Sequence, residues 1–241
     1  SMKNIALMTA RAGSQSVPNK NILPCTAKHV PMFLSNLDAA SKCDRIHHTY
    51  TCSDIPLVKA FQPQYDYTCL FRPPPLCGAD IDHYSVMRYG VDAILHEHPD
   101  VDNIVLLLGN NCGCTSANLD LAIRDLEDNM DYDSVMSVGL FNQFNPYRAF
   151  TSPDPSGEMQ PFLHEDMFPK NANDKNACGD FYFFNGSFWV VKVDVFLANE
   201  GHPPYPWLGN KIKGYILDSH VQEIDSTWQY NLVTEFSNLQ Q

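Results

Sequence analysis

The sequence predicts an α/β fold, a three-layer arrangement in which a mainly parallel sheet is covered by helices on both faces. Three observations lead there. Short apolar, β-branched runs alternate with stretches of helical period along most of the chain. The run Ile104-Val105-Leu106-Leu107-Leu108 shows no polar alternation, as expected of a strand buried on both sides. The length, 241 residues with 44% hydrophobic and 18% charged content, suits one large domain rather than several small ones.

Taken in order, Asn4 to Thr9 reads as the first strand, followed by a Gly/Ser/Pro loop. A helix is expected over Val30 to Ser41, where Phe33, Leu34, Leu37 and Ala40 recur at helical spacing. Arg45 to Thr51 and Tyr67 to Phe71 are the next strands, with Ile55 to Phe61 as a short helix between them and Asp82 to His96 as a longer one after. Asn103 to Leu108 is the central strand, and Ser116 opens a helix striped with Leu119, Ala122, Ile123 and Leu126. After the strand Ser134 to Val138 the texture changes. Asn142 to Ala177 is rich in Asn, Pro, Asp and Phe without a clear period, so residues 140–180 read as an insertion within the single domain 1–241. A long loop of this kind is expected to pack on a neighbour, as a dimerisation arm. Strand character returns over Phe181 to Val193 and Ile212 to Leu217, and Ser226 to Leu239 closes as a helix.

Sixteen Lys plus Arg against 28 Asp plus Glu give a net charge of −12, which excludes a nucleic-acid-coating surface. A phosphate ligand would be repelled by that charge overall, so local cations, backbone amides or a divalent metal must hold it. No apolar run reaches the roughly 18 to 20 residues of a membrane span, and no long apolar leader precedes the first strand. A soluble, cytoplasmic, reducing setting is therefore expected. The eight cysteines would then be free thiols, with Cys112 and Cys114 acting as small buried hydrophobes because their spacing is not that of a zinc knuckle.

The segment from Ala6 to Asn21 carries the chemistry. A small-residue loop after a buried strand lets backbone N–H groups wrap an anion, and Arg11 and Lys20 add charge at its two ends. That suits a triphosphate, although most such loops are only turns. The segment resembles the N-terminal signature of the acylneuraminate cytidylyltransferase family, which reads approximately A-R-x-G-S-K-G-x-x-x-K-N. Arg11, Gly13, Ser14, Lys20 and Asn21 match, whereas Gln15 replaces a lysine and Ser16 a glycine. Further similarities follow in the family's order: Phe71-Arg72-Pro73 through Leu76 and Asp80, Asp44-Arg45-Ile46 with Ser53-Asp54, Asn185-Gly186, and Glu223-Ile224-Asp225-Ser226.

The resemblance implies a nucleotide-diphospho-sugar-transferase-like, Rossmann-like fold, and transfer of CMP from Mg-CTP to a hydroxyl of a small acidic, nonulosonic-type sugar. It implies a nucleotide site of Ala10, Arg11, Gly13, Ser14, Gln15, Lys20, Asn21, Arg72 and Asp80, with Arg72 near the cytosine, and a catalytic set of Arg11, Lys20 and Asp225. A homodimer or higher homo-oligomer is expected as well. Glu223 and Asp225 alternate on a short extended segment, so their carboxylates share a side and suit Mg²⁺. On local sequence, Asp225 or Ser226 also reads as the N-cap of the last helix. The resemblance favours metal for Asp225, while Glu223 stands where the family has Asp.

The departures gather where the sugar should sit. Gly109-Asn110-Asn111-Cys112-Gly113-Cys114-Thr115 replaces the family's Q-P-T-S-P-L-R. Asn110 and Asn111 are left as hydrogen-bonding candidates, together with Phe184, Asn185 and Arg148, which falls near a family lysine that reaches the sugar carboxylate from a neighbouring subunit. No arginine appears around His164 and Glu165, so an altered acceptor is expected. Two alternatives stay open: a related sugar nucleotidyltransferase with another nucleotide or acceptor, and a noncatalytic nucleotide or sugar binder. The histidines at 47, 48, 96 and 98 lack a metal constellation and read as surface, and Pro203 to Gly209 reads as a packed loop more than a pocket wall.

Overall fold

The computed structural model describes residues 1–13, 19–24, 31–217 and 224–239. Strand β1 (Asn4–Ala10) is buried along its whole length. Helix α1 (Leu34–Ser41) starts four residues later than its apolar period implies. Pro31 forms a bridge with Pro24 before it, and Val30 lies outside the described residues. Next come β2 (His48–Ser53), α2 (Pro56–Ala60), α3 (Gln62–Tyr65), β3 (Tyr67–Phe71), α4 (His83–Glu97) and β4 (Asn103–Leu108). Thr115 caps α5 (Ser116–Asp128) reciprocally with Asn118, satisfying N–H groups at the helix start. The chain continues through β5 (Ser134–Leu140), β6 (Phe150–Thr151), β7 (Gln160–Pro161), β8 (Tyr182–Lys192), α6 (Val193–Ala198), β9 (Ile212–Ile216) and α7 (Thr227–Leu239).

The main sheet has seven strands in the order β3-β2-β1-β4-β8-β5-β9. Every pairing is parallel except those of β8, which runs antiparallel to both β4 and β5. Side chains alternate across β1 and separate the core into two layers. Ala6 and Met8 meet Phe33, Leu37, Leu119 and Ile123 from α1 and α5. Ile5 and Leu7 meet Val86, Met87 and Ile94 from α4, with Phe196 of α6 in the same layer. Helix α4 approaches so closely that a Cβ on Gly90 would lie 2.6 Å from Leu7 Cδ2.

Residues 140–180 hold 3-10 turns around the β6–β7 ribbon. Its root is tied by the Phe141 N–H donating to Phe181 O at 3.0 Å and the Phe181 N–H to Asn142 Oδ1 at 2.9 Å. Phe144, Phe150, Met159, Phe162 and Met167 are exposed on it.

The cysteine expectation needs one correction. Cys112 is disulfide-bonded, whereas Cys43, Cys52, Cys69, Cys77, Cys114 and Cys178 are free. Spacing along the chain does not say which sulfurs meet in space. Cys114 does behave as a buried hydrophobe, and burial pushes its thiol up to about 12. The surface histidines are more ordered than expected. His48 shares a 2.7 Å hydrogen bond with Thr68, and both His48 and His98 pack edge-on to Tyr50. Among the described residues no group of three or more His, Cys, Asp or Glu side chains could hold a metal ion, and no helix is long and apolar enough to cross a membrane.

Candidate functional site

Beyond the carboxyl ends of β1, β3 and β4 lies a cleft of about 380 Å³, where open α/β sheets bind ligands, beside the β1/β4 junction at which the strand order turns back. β1 delivers Thr9, Ala10 and Arg11 to it, the 3-10 turn at Lys20–Ile22 delivers Lys20 and Asn21, and Arg72 enters directly after β3. The loop after β4 contributes Gly109 and Asn110, and Asp225 arrives just ahead of α7. Gly109 is required by close approach, since a Cβ there would lie 2.7 Å from Ala10 Cβ. The Ile224 N–H donates to Asn110 O at 2.9 Å, hooking the Asp225 segment to the end of β4.

Lys20 and Asp225, 205 residues apart, form an ion pair at 3.0 Å, with side-chain exposures of 13% and 56%. The other Asp225 carboxylate oxygen has no partner among the described residues. Asp225 is not the side-chain cap of α7. Instead its N–H donates to Gln229 Oε1 at 2.8 Å, so the local alternative of an Asp225 cap does not hold. Asn21 donates to Arg11 O at 2.7 Å, which fixes the backbone beneath the Arg11 guanidinium. Its own Oδ1 is buried without a partner among the described residues. Arg72 is buried and donates through Nε to Leu76 O at 2.8 Å. Burial depresses its pKa, and the charge of Arg11 acts more weakly in the same direction. Two guanidinium groups and an ammonium thus concentrate positive charge in a chain of net charge −12.

Several expected residues lie elsewhere. Asn111 is fully buried. Its Nδ2 donates to Asn185 O at 3.2 Å and its Oδ1 accepts from Ser187 Oγ at 2.9 Å. Asn185 is buried too, accepting from Ser137 Oγ at 2.6 Å and from the Ser187 N–H at 3.2 Å. These residues plug the irregularity in the β5–β8 ladder between Met136 and Val138, where bulge geometry leaves ladder groups to be paired by side chains. Neither asparagine lines the cleft. Arg148 is exposed on the arm, 3.4 Å from Gln143 O, and does not reach the cleft of its own chain. Gly13 and Asp80 are exposed and do not line it either. Ser14, Gln15 and Glu223 lie outside the described residues.

Phe184 lines the cleft as expected, but within a larger aromatic wall. It stacks on Trp189 at 4.3 Å between ring centroids and meets Tyr205 edge-on, and Trp207 completes the wall. The Pro203 to Gly209 segment therefore both packs and lines the pocket, a correction to its reading as a packed loop. Trp189 escaped the sequence reading because strand tryptophans are ordinary core residues. His83 escaped it too, as a lone polar residue opening a helix. It is half-buried, its Nε2 lies 2.9 Å from Thr9 Oγ1, and burial, helped by Arg72, lowers its pKa to about 4. The ring is neutral near pH 7.

No model of a known protein family matches the chain, and no curated protein does. Solved structures do. A CMP:2-keto-3-deoxy-manno-octonic acid synthetase complexed with CTP matches with a TM-score of 0.68 and 13% identity, covering 99% of this chain and 100% of that one. A 4-diphosphocytidyl-2C-methyl-D-erythritol synthase from Anaerococcus prevotii matches with a TM-score of 0.66 and 12% identity, covering 100% and 97%. A putative glucose-1-phosphate thymidylyltransferase from Bacillus anthracis, in complex with a sucrose, follows at 0.60 and 12%, covering 98% and 95%. At such identities the likeness concerns architecture, and the chain has the nucleotide-sugar-transferase-like α/β fold.

Proposed function

We propose that the chain is a cytidylyltransferase that moves CMP from CTP to a hydroxyl of an acidic sugar and releases pyrophosphate. The observation that carries this reading is the convergence of Arg11, Lys20, Arg72 and Asp225, from four separate segments, on one cleft. In the reaction the sugar oxygen bonds to the α-phosphorus as the bond to the bridging oxygen breaks, and the hydroxyl proton is lost. Arg11 and Lys20 hold the phosphates and offset the charge that develops on the leaving pyrophosphate. Lys20 reaches a phosphate by exchanging its ion pair with Asp225, which frees that carboxylate at the same moment.

One exposed carboxylate, with an oxygen still unpaired among the described residues, fits a magnesium ion that arrives on the triphosphate rather than in a preformed protein cage. Asp225 would hold it, with Glu223 as the second candidate. When bound, the ion supplies charge neutralisation at the phosphates.

The acceptor end favours a second reading, a related sugar nucleotidyltransferase with a different acceptor. That end of the cleft is walled by Phe184, Trp189, Tyr205 and Trp207. We further propose that the exposed aromatic side of the arm packs on a second copy of the chain, because apolar patches of this kind mark association surfaces. Pyrophosphate release from Mg-CTP tests the reaction, with pooled sialic, legionaminic, pseudaminic and deoxy-octulosonic acids in one arm and neutral sugars in another. Release with the acidic pool supports the first reading, and release only with neutral sugars or another nucleotide supports the second. No release in any arm from protein that binds CTP overturns both and leaves a noncatalytic binder. Sedimentation at micromolar concentration tests the arm, since a monomer there would dismiss the dimer.

A further inference from the structure

We infer that His83 is a base-reading residue of the cleft, offering its ring nitrogen Nδ1 to the hydrogen-bonding edge of the nucleobase beside Arg72. This rests on the proposed reading of the cleft as a nucleotide site. One wall comes from a single connection, that between β3 and α4, and consists of Arg72, Gly78, Ala79, Ile81 and His83. Small and aliphatic residues there leave room for a flat ring, and two polar heads remain to meet its edge. Arg72 can only donate. A neutral imidazole adds what the guanidinium lacks, a nitrogen able to accept.

The imidazole is also held in place. Nε2 engages Thr9 Oγ1 at the end of β1, and the ring packs against Trp189 with centroids 6.1 Å apart. Nδ1 has no partner among the described residues. When Nε2 carries the proton and donates to Thr9, Nδ1 is an acceptor. Cytosine presents a 4-amino donor where uracil presents a 4-oxo acceptor, and an acceptor nitrogen pairs with the first and not with the second. The Thr9 hydroxyl is thereby a positioning group, setting the rotation of the ring.

Calorimetric titration of the full chain with Mg-CTP and Mg-UTP, without acceptor sugar, tests this in the wild type, His83→Ala and His83→Asn. The wild type should prefer CTP. His83→Ala should weaken CTP binding about tenfold, the scale of one hydrogen bond in a desolvated site, while UTP binding changes by less than about threefold. His83→Asn, which keeps an acceptor, should recover part of the preference. Should His83→Ala fail to fold, as judged by its melting curve, His83→Asn and Thr9→Val carry the test, the latter with a smaller loss of preference. An unchanged CTP to UTP ratio in the folded variants overturns the inference and leaves the nucleotide site standing. Absence of any nucleotide binding by the wild type removes the site and the inference together.

Discussion

Two polar constellations lie close together in this molecule, and both join residues far apart in sequence. Lys20 and Asp225 meet at 3.0 Å across the mouth of the cleft, where Asp225 stays 56% exposed. Asn111, Ser187, Asn185 and Ser137 meet inside the sheet, each at or near zero exposure. The first pair can be exchanged for a ligand at modest energetic cost, because its carboxylate is more than half exposed and ion pairs open to solvent contribute about 1 kcal/mol. The second cannot be opened without stranding buried polar groups, at about 1–3 kcal/mol each. Polar residues near a functional loop thus divide by what they are already bound to. Only those with weak commitments are available for chemistry.

The comparison breaks most visibly through Lys20→Ala. Turnover should fall by about 10²–10³ while the melting temperature barely moves. Pyrophosphate release and a melting curve on the same preparation decide it, and a large melting shift would make Lys20 a structural residue like Asn111. His83 stands between the two groups, lining the cleft yet held neutral by burial. The unfolded chain takes up a proton on this histidine near pH 6.5 and the native state only near about 4. Between those values the unfolded state holds more protons, so stability is lost as pH falls, by at most about 3 kcal/mol from this group. His83→Gln should flatten that part of the profile, and urea midpoints at pH 7 and pH 4.5 give the slope. An unchanged slope would place the wild-type ring in solvent.

Asn111→Ala sharpens the other side. Removing both of its hydrogen-bonding ends should cost about 2 kcal/mol in urea denaturation and leave turnover per folded molecule within twofold. A selective rise in the acceptor KM would return Asn111 to the cleft. The smallest effect calibrates the rest. Thr115→Ala deletes the cap of α5, away from the cleft, and should cost about 1 kcal/mol with no kinetic change.

Much of this was legible in the sequence, and the failures share a cause. β4 begins and ends at the residues its apolar run predicts, because a strand buried on both faces carries a pattern that needs no partner to read, and the edge strand β3 keeps its predicted bounds as well. Arg11, Lys20, Arg72 and Asp225 were legible as motif residues, and the fold brings them together. The antiparallel course of β8 was not, since strand direction leaves no trace in local composition, and α6 is too short for its period to register. The buried partners of Asn111 and Asn185 were not legible, because they exist only once β8 is inserted and its bulge formed. His83 and the disulfide of Cys112 were hidden for the same reason: each depends on a contact made in space, not on spacing along the chain.

The hook between Ile224 and Asn110 has a topological consequence. Tyr230 of α7 donates to Pro24 O at 2.6 Å, so the early segment that carries Lys20 and the late segment that carries Asp225 are latched to each other as well as to β4. A nick in the exposed Pro153 to Gly157 turn of the arm leaves that latch intact. Deleting α7 dissolves it, leaving the hook to Asn110 and the Lys20–Asp225 ion pair to hold the two segments together. The two sides of the cleft mouth are consequently held in register by a helix that supplies none of the described lining residues.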